Sequence, residues 1–202
     1  MKIVTQSVVL EAITPDAAAL IERAGRTCYK SEVRIGPGTA GPFIAKIRDR
    51  NHASVLEHAS ATFRIVCDRG VSHELVRHRI ASYSQESTRY CNYSKDQFGD
   101  EIIVIQPPGL SNKTAWLAWR QACEKAEESY RLMLFKGCSP QIARSVLPTC
   151  LKTEIVMTAN FREWLHFLEL RTAPAAHPQM REVAEMIRKE LQAACPEVFG
   201  NG

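Results

Sequence analysis

The feature that most limits what this chain can fold into is a stripe. Trp116, Trp119, Cys123, Ala126, Tyr130 and Met133 recur at intervals of three and four. A helix puts such positions on one face. Ser111 or Asn112 offers a capping oxygen at its start, and Gly137 a stop at its end. A helix of that length must bury its apolar face, either in the core or in a subunit interface. Elsewhere the period falls to two. Residues 61–67 set Phe63, Ile65 and Cys67 against Thr62, Arg64 and Val66, which predicts a strand. Residues 3–10, 101–106 and 153–158 read as further strands. Helices are expected over 15–28, 43–51, 71–79 and 161–171, in a short piece after Ser139-Pro140 carrying Arg144, and after His177-Pro178, where Val183, Ile187 and Leu191 share a side. The Gly/Pro-dense segment 36–42 reads as a connector rather than an active-site lid. Isolated strands mixed with long helices predict an α+β fold.

With 202 residues, 45% hydrophobic and 24% charged, the chain is expected to form one domain spanning 1–202 with a real core. A net charge of +4 suits an anionic small molecule and makes no demand for nucleic acid. No stretch approaches membrane-spanning length, so no membrane partner and a cytoplasmic location are expected. Seven scattered cysteines argue against a disulfide framework and against a zinc knuckle. His52, Glu57 and His58 could suggest a metal site, but the helical zinc pattern sets its histidines four apart and these are six apart, so no metal is expected. Cys150 could be read as a nucleophile, but nothing near it in sequence suggests an activating base.

Chemistry concentrates in residues 77–90. Arg77, His78, Arg79 and Arg89 crowd there with the hydroxyls of Ser82, Tyr83, Ser84, Ser87 and Thr88. Guanidinium forks match phosphate oxygens two at a time, and hydroxyls and loop N–H groups add donors. This predicts an anion-binding loop, and composition alone equally allows a solvated basic loop.

The spacing favours the first reading. Arg77-His78-Arg79, seven residues, then Ser87 and Arg89 resembles the signature of the flavin-dependent thymidylate synthases. The run from His52 through Ser54 and Glu57 to His58 is similar to that family's first flavin-side motif. Ala143-Arg144 to Pro148, Asn160-Phe161-Arg162 and Leu168 to Arg171 follow in the family's order. The resemblance implies one mixed or antiparallel sheet wrapped by long helices, in a homotetramer with shared active sites. It implies reductive methylation of dUMP to dTMP: methylenetetrahydrofolate gives the carbon, FAD carries the hydride and NADPH supplies it.

By the same resemblance, Glu74, Arg77, Gln85, Glu86, Ser87, Thr88, Arg89, Arg144 and Arg171 would face dUMP. Ser54, Arg77, His78, Arg79, Gln85, Asn160, Arg162 and His166 would hold FAD, with His52 near folate and flavin. Arg171 would polarise the uracil ring, since a cation near the pyrimidine oxygen stabilises charge developing there. Ser87 sits where a nucleophile could, yet hydrogen bonding to dUMP is the preferred role. Arg144 would reach the nucleotide from a neighbouring subunit, although alone it could be a helix-surface arginine. Two residues depart from the family pattern: Glu74 stands where some members carry glutamine, and His166 where others carry asparagine. On the predicted helix 71–79, Glu74 would lie one turn from Arg77 and His78. The rival readings are a nucleic-acid-binding protein that stacks bases on Tyr83 or Tyr90, and a non-catalytic flavoprotein.

Overall fold

A computed structural model describes residues 1–91, 93 and 99–200. The chain divides into two compact units, each assembled from separated segments. Unit one comprises Met1–Ser7, Val66–Val76 and Ser84–Ile155, and unit two Val8–Ile65, Arg77–Tyr83 and Val156–Gly202.

In chain order the elements are β1 Lys2–Val4, β2 Ser7–Ile13, α1 Ala17–Cys28, α2 Ala40–Asp49, β3 Ser60–Asp68, α3 Arg69–Leu75, β4 Ala81–Gln85, β5 Ile103–Ile105, α4 Lys113–Phe135, α5 Pro140–Ala143, β6 Lys152–Asn160, α6 Phe161–Arg171, α7 Pro178–Ala194 and α8 Pro196–Phe199. A four-stranded sheet runs in the order β2-β3-β6-β4. Its neighbours are antiparallel. The Thr14 N–H just past β2 donates to the Ser60 carbonyl opening β3 at 2.9 Å, and the Glu86 N–H just past β4 to the Glu154 carbonyl early in β6 at 2.8 Å. Thr62 and Thr158, near opposite ends of β3 and β6, join hydroxyls at 2.8 Å.

The mixture of antiparallel sheet and long helices agrees with the α+β reading. Two details differ. Residues 3–10 are not one strand, because the chain breaks after Val4. The expected single sheet is joined by a second: β1 pairs in parallel with β5, Lys2 opposite Ile103.

In unit one the long helix α4 starts where Asn112 Oδ1 accepts the Ala115 N–H at 3.0 Å. Its stripe is core: Cys123 and Tyr130 are buried with Ile102, Val104, Ala143 and Leu151, and Trp119 and Met133 pack against them. In unit two the aromatic residues of α6 form the core. Trp164 is fully buried, donates its indole N–H to the Ala61 carbonyl at 3.1 Å, and meets the rings of Phe63 and Phe167 edge-on at 5.0 and 5.3 Å. Val183, Ile187 and Leu191 of α7 are buried on one side, as their spacing predicts. The 36–42 segment is tied down, since the Thr39 hydroxyl donates to Glu22 at 2.8 Å, and α2 begins at Ala40. That arrangement suits a connector.

Helix α3 departs most from expectation. Asp68 accepts the Val71 N–H at 2.7 Å and so starts the helix early, and the helix ends at Leu75. Arg77, His78 and Arg79 therefore lie beyond it. The expected one-turn relation of Glu74 to Arg77 and His78 does not hold, because it requires continuous helix. The loop that follows is not wholly irregular either. Ala81–Gln85 forms an edge strand, with Ala81, Tyr83 and Gln85 half-buried and Ser82 and Ser84 exposed. Small polar residues gave that strand no apolar alternation to read.

Candidate active site

The predicted site residues distribute over both units. In unit two, Arg77, His78, Arg79 and Ile80 line a cavity of about 440 Å³ with Glu163, His166, Leu170 and Arg171 of α6. A second cavity of about 370 Å³ shares Ile80, Glu163 and His166 and adds Glu57, Asn160 and Arg162. The elements explain the placement. Asn160 caps α6 by accepting the Glu163 N–H at 2.9 Å. Residues 162, 163 and 166 then project from the first turns, while Arg171 ends the helix, where a cation is electrostatically favourable.

His78 sits at the centre. It is 5% exposed. Its Nδ1 lies 3.0 Å from Glu163 Oε1, and Arg171 Nε donates to its Nε2 at 3.0 Å. The Tyr83 hydroxyl donates to the His78 carbonyl at 2.7 Å. Burial pushes the imidazole below its ordinary pKa. Arg171 and His166 push the same way, against the pull of the Glu163 carboxylate. Both ring nitrogens are thus engaged within the protein, and the residue lines the wall of the cavity.

Most other flavin-side residues, Arg77, Arg79, Arg162 and His166 among them, are exposed, while Asn160 and Gln85 are half-buried. Arg162 donates to Glu57 at 2.6 Å, and His166 stacks edge-on toward His78 at 6.0 Å between ring centres. Ser54 is exposed in a 3-10 turn, Ala53–His58, that follows His52. His52 is exposed with its Nδ1 3.4 Å from the Tyr29 hydroxyl.

In unit one the nucleotide-side residues form a polar network. Gln85 donates its amide to Ser72 at 2.9 Å and Thr153 at 3.2 Å, which ties it to structural hydroxyls. Glu86 accepts from Tyr93 at 3.0 Å and from Lys152 at 3.0 Å. Ser87 Oγ accepts the Arg89 N–H at 3.3 Å, a turn-forming contact rather than activation by a base. Thr88 is buried and accepts from Arg144 at 3.3 Å; Arg89 is exposed with its guanidinium 5.3 Å over the Tyr90 ring. Arg144 and Thr88 line a cavity of about 160 Å³ together with Arg69 and His73. Glu74 is half-buried on α3. Burial raises the Cys150 thiol above its ordinary pKa, which is the reverse of what a nucleophile needs.

Sequence reasoning missed Glu163, Arg69, His73 and Lys152. Glu163 carried a misleading signal: Asn160-x-x-Glu163 is the capping-box pattern and reads as structural. Arg69 and His73 lie on a helix placed two residues too late.

The model of the thymidylate synthase complementing protein family, Thy1, matches residues 9–197. Flavin-dependent thymidylate synthases from Mycolicibacterium gilvum and Geobacter sulfurreducens are 36% and 37% identical, over 91% and 92% of this chain and 79% and 82% of theirs. Among solved structures, Thymidylate Synthase X from Helicobacter pylori, with FAD and dUMP, matches with a TM-score of 0.78 at 25% identity, covering 96% of this chain and 97% of that one. The UMP/dUMP methylase PolB from Streptomyces cacaoi, bound with 5-Br dUMP, matches at 0.83 and 25% identity, covering 98% and 95%. Sequence, family model and fold agree: this chain belongs to the Thy1 family, that of the flavin-dependent thymidylate synthases.

Proposed function

We infer that this chain methylates dUMP to dTMP as a flavin-dependent thymidylate synthase. The observation that carries the reading is the cavity in which Arg77, Arg79 and Arg171 stand around apolar Ile80 and Leu170, in a chain whose relatives share that name. Guanidinium groups beside an aliphatic wall are the donor set that a flavin with its pyrophosphate, or a nucleotide, requires.

Arg77, Arg79, Arg162, His166 and Asn160 are the residues we assign to FAD, with Ser54 and His52 at the flavin and folate side. Bound FAD would supply the hydride that NADPH provides, with methylenetetrahydrofolate as carbon donor. On the nucleotide side we assign the phosphate to Arg89, Arg144, Ser87 and Thr88. Glu74 and Glu86 we assign to sugar or base hydroxyl and N–H donors. Arg171 stabilises negative charge as it develops on the pyrimidine, a role that needs no cysteine. The family model runs through both units, which supports one functional domain. A homotetramer with shared sites and a cytoplasmic location, where nucleotide and NADPH are found, complete the reading.

Purified protein should be yellow with flavin absorbance, and should form dTMP from dUMP only with NADPH and methylenetetrahydrofolate. UMP belongs in the same assay, since PolB is described as a UMP/dUMP methylase. A colourless protein that binds single-stranded nucleic acid and makes no dTMP would overturn the assignment. A yellow protein without turnover would leave a non-catalytic flavoprotein.

A further inference from the structure

Glu163 is 7% exposed, and its carboxylate lies against His78, itself 5% exposed. A buried carboxylate is costly unless paired, so the contact calls for a reason. Helix capping does not provide it: the Glu163 backbone N–H goes to Asn160, while the side chain turns to His78 Nδ1 at 3.0 Å.

The donor inventory gives the direction of the chain. Arg171 Nε carries a hydrogen and cannot accept, so His78 Nε2, 3.0 Å away, must accept. Nδ1 then holds the single ring proton and donates it to Glu163. A buried carboxylate on Nδ1–H is a standard means of fixing an imidazole tautomer and ring orientation. We propose that Glu163 is a positioning residue, which locks His78 in the Nδ1–H tautomer so that His78 Nε2 holds the Arg171 guanidinium in place. The proposal rests on the reading of Arg171 as the group that acts on the pyrimidine.

The electrostatics are consistent with a neutral His78. From α6, Glu163, His166 and Arg171 face the ring, with Phe167 edge-on at 5.0 Å between centres; from β4, the Tyr83 hydroxyl holds its carbonyl; Arg77 and Arg79 flank it and line the same cavity. Protonated His78 would present N–H to N–H and cation to cation toward Arg171, and the contact would break. Because the folded value is lowered, the relay is intact above that value and lost as pH falls through it. Glu163 is the group that pulls His78 upward, so neutralising it lowers the His78 value further.

The test uses the FAD-loaded enzyme, wild type and Glu163→Gln, with folding checked by thermal melting and flavin binding by absorbance. Misplacing a reacting group by about 1 Å costs on the order of 100-fold, so kcat for dTMP should fall about 10- to 100-fold. KM for dUMP should stay within about threefold, a split expected when an orienting rather than a binding contact is lost. The acid limb of the rate profile should move to lower pH, which a purely structural role would not produce. A wild-type kcat and an unmoved limb in a folded variant overturn the proposal.

A second measurement does not depend on turnover. In wild-type protein carrying ¹⁵N-histidine, His78 at pH 8 should show a protonated Nδ1 and an unprotonated Nε2, and Arg171→Ala should shift chiefly the Nε2 signal. A proton on Nε2, or an imidazolium, overturns the proposal, and this experiment decides if Glu163→Gln does not fold. Absence of dTMP formation by wild type would instead remove the functional assignment and leave the tautomer result standing.

Discussion

Asn160 is assigned two jobs, and one pair of substitutions separates them. Its Oδ1 caps α6 by accepting the Glu163 N–H at 2.9 Å from an extended backbone, φ −74° and ψ 166°. It also lines the cavity of about 370 Å³ in which a flavin contact is proposed. Asn160→Ala removes the cap and should destabilise the protein by about 1 kcal/mol. For a chain of this size that corresponds to a Tm lower by about 2–4 °C, measured by circular dichroism on the flavin-free protein so that cofactor binding does not contribute. Asn160→Asp keeps the accepting oxygen and adds negative charge at the helix N-terminus, so its Tm should equal or exceed wild type. The amide donor is nevertheless lost, and a carboxylate would face an anionic cofactor. FAD affinity should fall about tenfold or more in the Asp variant, read by flavin titration; a lost hydrogen bond and added repulsion together reach about 1.4 kcal/mol. If Asn160→Asp melts as low as Asn160→Ala, the cap argument is refuted. If both variants bind FAD like wild type, Asn160 is a helix cap and not a cofactor contact.

Arg171→Ala should cripple dTMP formation while FAD stays bound and NADPH still reduces it; normal dTMP production would reduce Arg171 to a helix-end charge. Replacing each cysteine singly with Ser or Ala should leave turnover within about tenfold, with modest stability losses at buried sites. A folded cysteine variant with no activity, Cys150 above all, would restore covalent catalysis by a thiol. Arg89→Ala and Arg144→Ala should each be nearly inactive, but unfolded and refolded together they should recover about a quarter of wild-type activity, because random mixing completes that share of sites. Mixed oligomers as inactive as their parents would place Arg144 with Thr88 of its own chain, where it donates at 3.3 Å.

Much of this protein is legible in one dimension. Helix α6 runs over the expected 161–171 because Asn160 is a strong cap and its aromatic residues repeat at helical spacing. Helix α4 and the buried side of β3 follow from periodicity alone, which a long amphipathic element makes unambiguous. The Arg77–Arg89 spacing pointed to the family that the comparisons identify. What tertiary structure decided lies where local signals are weak or ambiguous. β4 exists because an edge of the sheet accepts Ala81–Gln85, not because its serines favour a strand. Helix α3 stops at Leu75, which took Arg77 and His78 off the helix face they were expected to share with Glu74. The role of Glu163 depends on a residue 85 positions earlier in the chain. No spacing rule links His78 to that carboxylate, because a burial-enforced hydrogen bond between distant segments exists only once the chain has folded.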